Sequence, residues 1–193
     1  DFDTRFERYI KATPYRSTYA CRLMAIILET SRLLLREFCT EDAKYLFELN
    51  SDPDVTRYVG TGAYNSMDEV YDFINNYDQY EKYKMGRLNM FDKQTGEFIG
   101  WCGLKYVSTG DYVDLGYRLL KRHWGKGYAT EAATACLAYG FNTLNLKKVI
   151  GTAMSENKAS INVFEKLGLK YSHDNDCGNQ LGVVYAITKE EWK

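Results

Sequence analysis

The stretch Trp124-Gly125-Lys126-Gly127-Tyr128-Ala129, running straight into Thr130-Glu131-Ala132-Ala133, constrains this chain more than any other. Two glycines and an alanine alternate with larger residues and open a helical pattern that buries Ala133, Leu137, Phe141 and Leu144. A helix start whose backbone N–H groups are clear of side chains is a ready anion site. The spacing is not that of a P-loop, which needs Gly-x-x-x-x-Gly-Lys-Ser/Thr. Nor is it a dinucleotide fingerprint: Thr130 stands where Gly or Ala is required, and the turn follows an antiparallel meander in mid-chain. The competing explanation is a tight strand-to-helix connection whose glycines solve only a steric problem.

The flanking pattern sets the fold class. Residues 32–38 read as a buried strand, and Thr40 as the N-cap of a helix to about Asn50. Asp52-Pro53-Asp54 breaks the chain and starts a short helix to Tyr58. Beyond a Gly60/Gly62 loop, Ser66 or Asp68 starts another, with Met67, Val70, Tyr71, Ile74 and Tyr77 at helical spacing. Three strands follow in succession, over 88–91, 97–107 and 112–120, joined by turns at 92–96 and 108–111. From the glycine turn onward the pattern alternates: helix to about Leu144, strand 147–153, helix 158–167 closed by Gly168, then strands 169–172 and 182–188. The sum is a mixed α/β fold, antiparallel first, with a crossover helix linking two parallel strands. A ligand site is expected where such a sheet splits.

Bulk properties remove several classes. The 193 residues are enough for a real core, and a net charge of −1 gives no reason to expect nucleic acid or an anionic membrane. No apolar run approaches the roughly 20 residues of a membrane span. The five cysteines (Cys21, Cys39, Cys102, Cys136, Cys177) have neither metal spacing nor disulfide density; Cys102 and Cys136 read as reduced core residues, which suits the cytoplasm. His123 and His173 are too far apart for a metal site, so no metal is expected, and both read as surface residues. Met24 resembles a translation start leading into a first strand, which divides the chain into residues 1–23 and a domain over 24–193. The first segment has five basic and three acidic side chains and no apolar core of a secretory signal. It reads as an appended or upstream extension; an arm packing on a partner subunit is the alternative.

Residues 124–133, Asn157-Lys158-Ala159-Ser160 and Glu165-Lys166-Leu167-Gly168-Leu169 together resemble the GNAT superfamily of N-acetyltransferases, in its RimJ/RimL-like branch. Thr30–Arg36, Ile99–Leu104, Leu115-Gly116-Tyr117 and the ending Tyr185–Trp192 add to the likeness, which covers residues 26–193. The resemblance implies a central, mostly antiparallel twisted sheet, splayed between its two middle strands and flanked by helices. It implies acetyl-CoA as co-substrate, bound at the loop opened by Trp124, its pyrophosphate on the backbone N–H groups of Gly125, Lys126, Gly127, Tyr128, Ala129 and Thr130. Trp124 replaces the superfamily's Gln/Arg but is common in this branch.

Several roles follow from the same likeness. The edge Leu119-Leu120-Lys121 would pair with the pantetheine arm, and an N–H near Leu119 would steady the oxyanion. Asn157 would contact the pantetheine and Ser160 would lie near the thiol. Asp114 is the implied base; its other role is a strand-edge carboxylate holding a loop. Phe164 stands where the superfamily often has a tyrosine acid, which leaves Ser160 as the next proton donor. The acceptor amine would sit among residues 50–64, 77–83 and 177–183, where the tyrosines could line a wall or simply pack, and Asp52 and Asp54 could attract an amine or cap helices. Glu131 reads as structural. The implied activity is acetyl transfer to a protein N-terminus or small amine, by a monomer or homodimer. An acetyl-CoA-binding sensor and a nucleotide-binding domain are the alternatives.

Overall fold

A computed structural model describes residues 27–58, 63–176 and 181–192. The 1–23 segment, the Met24 start, the Gly60/Gly62 loop, and Cys21 and Cys177 therefore lie outside the described residues. Eight strands form one sheet: β1 (Ile27–Glu29), β2 (Leu33–Arg36), β3 (Arg87–Asp92), β4 (Phe98–Val107), β5 (Tyr112–Leu119), β6 (Lys148–Met154), β7 (Lys170–Asp176) and β8 (Leu181–Thr188). Their order is β1-β2-β3-β4-β5-β6-β8-β7. Every neighbouring pair is antiparallel except β5 and β6, which run parallel and meet at one position, Asp114 opposite Ile150. Both strands continue beyond that point without pairing to each other, so the sheet opens between Asp114 and Leu119 on one side and Ile150 and Met154 on the other. The mixed α/β, mostly antiparallel sheet expected from the sequence is present, and the parallel pair is where it splays.

Helices cover both faces. On one, α5 (Tyr128–Ala138) and α6 (Lys158–Lys166) pack on the sheet, with Ala132, Ala133, Cys136, Leu137 and Phe164 against Cys102, Leu104, Leu115 and Leu119. On the other, α1 (Ala43–Ser51), α2 (Pro53–Thr56) and α3 (Met67–Asn75) enclose Leu46, Leu49, Val55 and Val70 against Phe91, Phe98 and Leu120. A short α4 (Gln79–Tyr83) precedes β3 and lacks the length to show as a periodic pattern. Strand alternation divides β5 between the faces. Leu115, Tyr117 and Leu119 point toward α5, whereas Asp114, Gly116 and Arg118 point toward α1.

Local expectations were corrected in detail. Thr40 is not an N-cap: it lies inside a 3-10 turn, Thr40–Asp42, that precedes α1. That turn carries Asp42 into a buried pair with Arg36, at 2.6 Å. Ser66 does cap α3, accepting from the Glu69 N–H, but Tyr71 falls on its exposed side. The α5 pattern ends at Ala138 and widens into a π-turn, Tyr139–Thr143, with Leu144 only partly buried. Gly140 in that turn lets it close on the sheet, because a Cβ there would lie 2.7 Å from Leu104 Cδ1. Cys102 and Cys136 are free and buried, as the sequence suggests.

Candidate active site

The glycine turn stands at the open end of the splay, after β5 and a 3-10 turn, Lys121–His123. Gly125 and Gly127 have φ of 73° and 81°, the left-handed region that side-chain-bearing residues avoid. A Cβ on Gly125 would meet nothing within 4 Å. Backbone conformation, not crowding within the chain, therefore requires glycine there, and the space above it is open. Gly127 is the N-cap of α5 and supplies no side-chain cap. The first N–H groups of the helix, and the positive end of its dipole, are left for a ligand.

A clamp holds this turn from behind. Glu131 Oε1 accepts from Thr30 Oγ1 at 2.5 Å, Ser31 Oγ at 3.0 Å and the Arg32 N–H at 2.9 Å. Its Oε2 accepts from Arg32 Nε at 2.6 Å. Partial burial alone would raise this carboxyl, but the hydrogen bonds from Thr30, Arg32 and Ser31 outweigh it and hold it at about 2. Arg32 also donates to the Lys126 carbonyl at 3.0 Å and lies 4.4 Å from the centre of the Tyr128 ring. The structural role read for Glu131 thus has a definite form: it fixes the turn without entering it.

The free edge of β5 faces the gap. The Leu120 N–H donates across to Ile99 in β4 at 3.0 Å, so alternation turns the amides of Leu119 and Tyr117 the other way, toward β6. Trp124 Nε1 donates to the Leu119 carbonyl at 2.8 Å, occupying one acceptor at the mouth. Across the gap, Asn157 caps α6 by accepting from the Ser160 N–H at 3.1 Å, which leaves its amide NH2 for other contacts. Leu120 and Lys121 belong to the other wall: Leu120 is buried under α1, and the Lys121 ammonium pairs with Asp54 at 2.5 Å.

Phe164 is a core residue, its ring 6.0 Å from that of Tyr117 and 5.8 Å from that of Tyr185. Tyr117, a buried phenol that sequence reasoning did not single out, lies beside it; its hydroxyl donates to the Ser160 carbonyl at 3.0 Å. Burial pushes the Tyr117 hydroxyl well above the usual phenol range. The Leu-Gly-Tyr triplet carried a signal for it, because alternation along β5 turns Tyr117 toward α6 and away from Asp114.

On the α1 face, Asp114 Oδ2 pairs with Arg87 Nη2, and Arg87 Nη1 also donates to the Asp114 carbonyl at 3.0 Å. Gly116 makes room for this pair, since a Cβ there would lie 2.6 Å from the guanidinium. Trp101 is flanked by two guanidiniums, those of Arg87 and Arg118, each 5.4 Å from the ring centre. Arg118 donates to Asn50 Oδ1. Tyr77 and Tyr80 are engaged by backbone: Tyr77 accepts from the Arg87 N–H at 2.8 Å and Tyr80 donates to the Arg87 carbonyl. Asp52 caps α2. His123 is not at the surface: it is 4% exposed, and burial lowers its pKa. The Lys121–His123 turn brings its ring inward, with Nε2 3.3 Å from Glu97 Oε1. His173 is exposed, as expected.

Comparison with known proteins adds to this geometry. Residues 32–170 match the family model described as an acetyltransferase (GNAT) domain. The uncharacterized protein YkkB of Bacillus subtilis is 39% identical over 75% of this chain and 86% of its own. The uncharacterized N-acetyltransferase p20 of Bacillus licheniformis is 32% identical over 86% of this chain and 97% of its own. The same fold is found in a ribosomal-protein-S5-alanine acetyltransferase from Vibrio fischeri, with a TM-score of 0.74 at 14% identity over 87% of this chain and 99% of that one. By its family match, its relatives and its splayed sheet, the chain belongs to the acetyltransferase (GNAT) domain family.

Proposed function

We propose that this chain moves an acetyl group from acetyl-CoA to a primary amine by direct attack within a ternary complex. The observation that carries this reading is the unpaired edge of β5 beyond Asp114, which faces a gap ending at the uncapped start of α5. Backbone N–H groups of 125–130 would hold the pyrophosphate, and the Leu119 and Tyr117 amides would pair with the pantetheine as an added strand. The Asn157 amide would contact the same arm from the β6 side. The amine arrives on the α1 face, loses a proton to Asp114 Oδ1 directly or through water, and attacks the thioester carbonyl carbon. The carbon–sulfur bond then breaks, and the thiolate takes a proton from the Ser160 hydroxyl or from water. Holding both reactants in line supplies much of the acceleration, so no acyl-enzyme is needed. The setting is the cytoplasm and the chain acts as a monomer or homodimer; among the described residues no helix is long and apolar enough to cross a membrane.

Phe164, with no hydroxyl, favours a second reading, an acetyl-CoA-binding subunit with little turnover. Thermal-shift measurements with acetyl-CoA, CoA, ATP and NAD test the binding half; stabilisation by the nucleotides but not by CoA would refute it. A thiol-release assay over amines and peptides separates enzyme from sensor, since a sensor binds CoA and releases no thiol.

A further inference from the structure

Among the described residues, Arg118 is a charged side chain with no carboxylate in ion-pair contact. It is half-buried on the α1 face of β5, and its hydrogen bond is to a neutral oxygen, Asn50 Oδ1. The Asn50 amide is itself committed, donating to the Leu46 carbonyl at 2.6 Å. The ionisable groups that act on Arg118 are Arg87, which repels it, and the Tyr64 phenol. The one carboxylate on this stretch of β5, Asp114, is held by Arg87. Arg36 and Asp42 neutralise each other further back. Among the described residues, the charged groups beside Trp101 on this face are therefore two guanidiniums and the one carboxylate that Arg87 holds. A guanidinium has five donors in a planar fork suited to an oxyanion, and a half-buried one without an anion is costly unless a ligand brings it.

Arg118 also lies between Tyr117 and Leu119, whose amides face the gap in the plane of the sheet while its own side chain stands on the α1 face. An anion held by its fork is thus anchored on the acceptor side, next to the reacting edge. We infer that Arg118 reads an oxyanion on the acceptor, so that the substrate is an amine also bearing a carboxylate or a phosphate-type group, not a plain alkylamine or a polyamine. This rests on the acetyltransferase reading and narrows its acceptor.

The test uses the full chain and matched probes: ω-amino carboxylates from glycine to 6-aminohexanoate, the aminoalkylphosphonates, the n-alkylamines of equal length, and spermidine. Thiol release gives kcat/KM, and calorimetry on the CoA-loaded protein gives binding even for probes that do not react. At least one amino carboxylate or phosphonate is expected to exceed its alkylamine tenfold or more, and the better of the two oxyanions identifies the group. Arg118→Gln should reduce that preference to within twofold while leaving CoA affinity unchanged. Asn50→Asp, which gives Arg118 an internal carboxylate, should abolish the preference in the same way and covers the case in which Arg118→Gln fails to fold. Equal or better use of alkylamines or spermidine overturns the inference, as does a preference that survives both variants. Failure to bind CoA would instead sink the acetyltransferase reading; oxyanion binding to the free chain, lost in both variants, would still report on Arg118.

Discussion

Arg32 Nε and Glu131 Oε2 lie 2.6 Å apart and join the β1–β2 connection to the first turn of α5. Arg32 is 43% exposed, so solvent screens the pair and its worth is about 1 kcal/mol. Because the folded Glu131 carboxyl sits at about 2, below its ordinary 4.5, its contribution is complete above pH 4.5 and is lost as pH falls toward 2. Glu131→Gln should lower Tm by roughly 2–4 °C at pH 7. The difference from the parent should shrink steadily below pH 4.5, as a pH series of melting curves would show. A difference that persists at pH 2 would contradict the assignment.

Gly125 and Gly127 should separate backbone strain from ligand contact. Gly125→Ala places a methyl in open space at a positive φ, costing about 1–3 kcal/mol of stability from the backbone alone. Its CoA affinity should fall at least tenfold, since the methyl enters the space assigned to the pyrophosphate. Gly127→Val should do the same at the helix start. Calorimetry with CoA, beside denaturant melts, reads both; full CoA affinity in the two variants would mean the phosphate lies elsewhere.

How much of this was legible in the sequence varies with the range of the interaction. The glycine turn, the meander before it and the Gly168 stop are local patterns, and each has its expected form, with Gly168 at a φ of 84°. The single β5–β6 pairing at Asp114 has no local signature, because it joins strands separated by a whole helix. The site divides the same way. Alternation along β5 could have separated Asp114 and Arg118 from Tyr117. It could not have shown that Arg87, 27 positions away, would pair with Asp114, or that Arg118 would donate to Asn50 beside Trp101. His123 was misjudged because polar neighbours mark a surface in sequence, whereas a turn can bring one ring inward.

Asn157 has a capping role and, in the proposed function, a cofactor contact, and substitution can separate the two. Its Oδ1 caps α6, and its NH2 is the group proposed to contact the pantetheine. Asn157→Ala should lose about 1 kcal/mol of stability together with CoA affinity. Asn157→Asp keeps an oxygen for the Ser160 N–H, so it should hold its Tm within a degree or two while CoA binding falls several-fold or more. Equal CoA affinity in Asn157→Asp and the parent would leave the residue with its capping role alone.

The sulfurs of Cys102 and Cys136 lie 3.9 Å apart in the core beneath α5. Burial pushes the Cys102 thiol well above its usual range, so little thiolate forms at neutral pH. Neither should react with a disulfide-exchange reagent in the native protein over minutes, and both should react at once in denaturant. Rapid labelling of either residue, read by mass spectrometry, would mean that α5 opens readily.

Asp114 poses the sharpest mechanistic choice, between holding Arg87 and taking the proton of the amine. Oδ2 is committed to Arg87, so a proton taken by this carboxylate would go to Oδ1. Asp114→Asn keeps the shape and removes the basicity. A general base of this kind contributes about 10²–10⁴-fold, and kcat should fall by that amount with CoA affinity retained. The pH profile gives the decisive signature. Without the carboxylate, only amine already deprotonated in solution can attack, so the variant's rate should climb about tenfold per pH unit up to the amine's own pKa. A carboxylate that serves only to hold Arg87 predicts otherwise: Asp114→Asn would then melt earlier, and its profile would stay parallel to that of the parent.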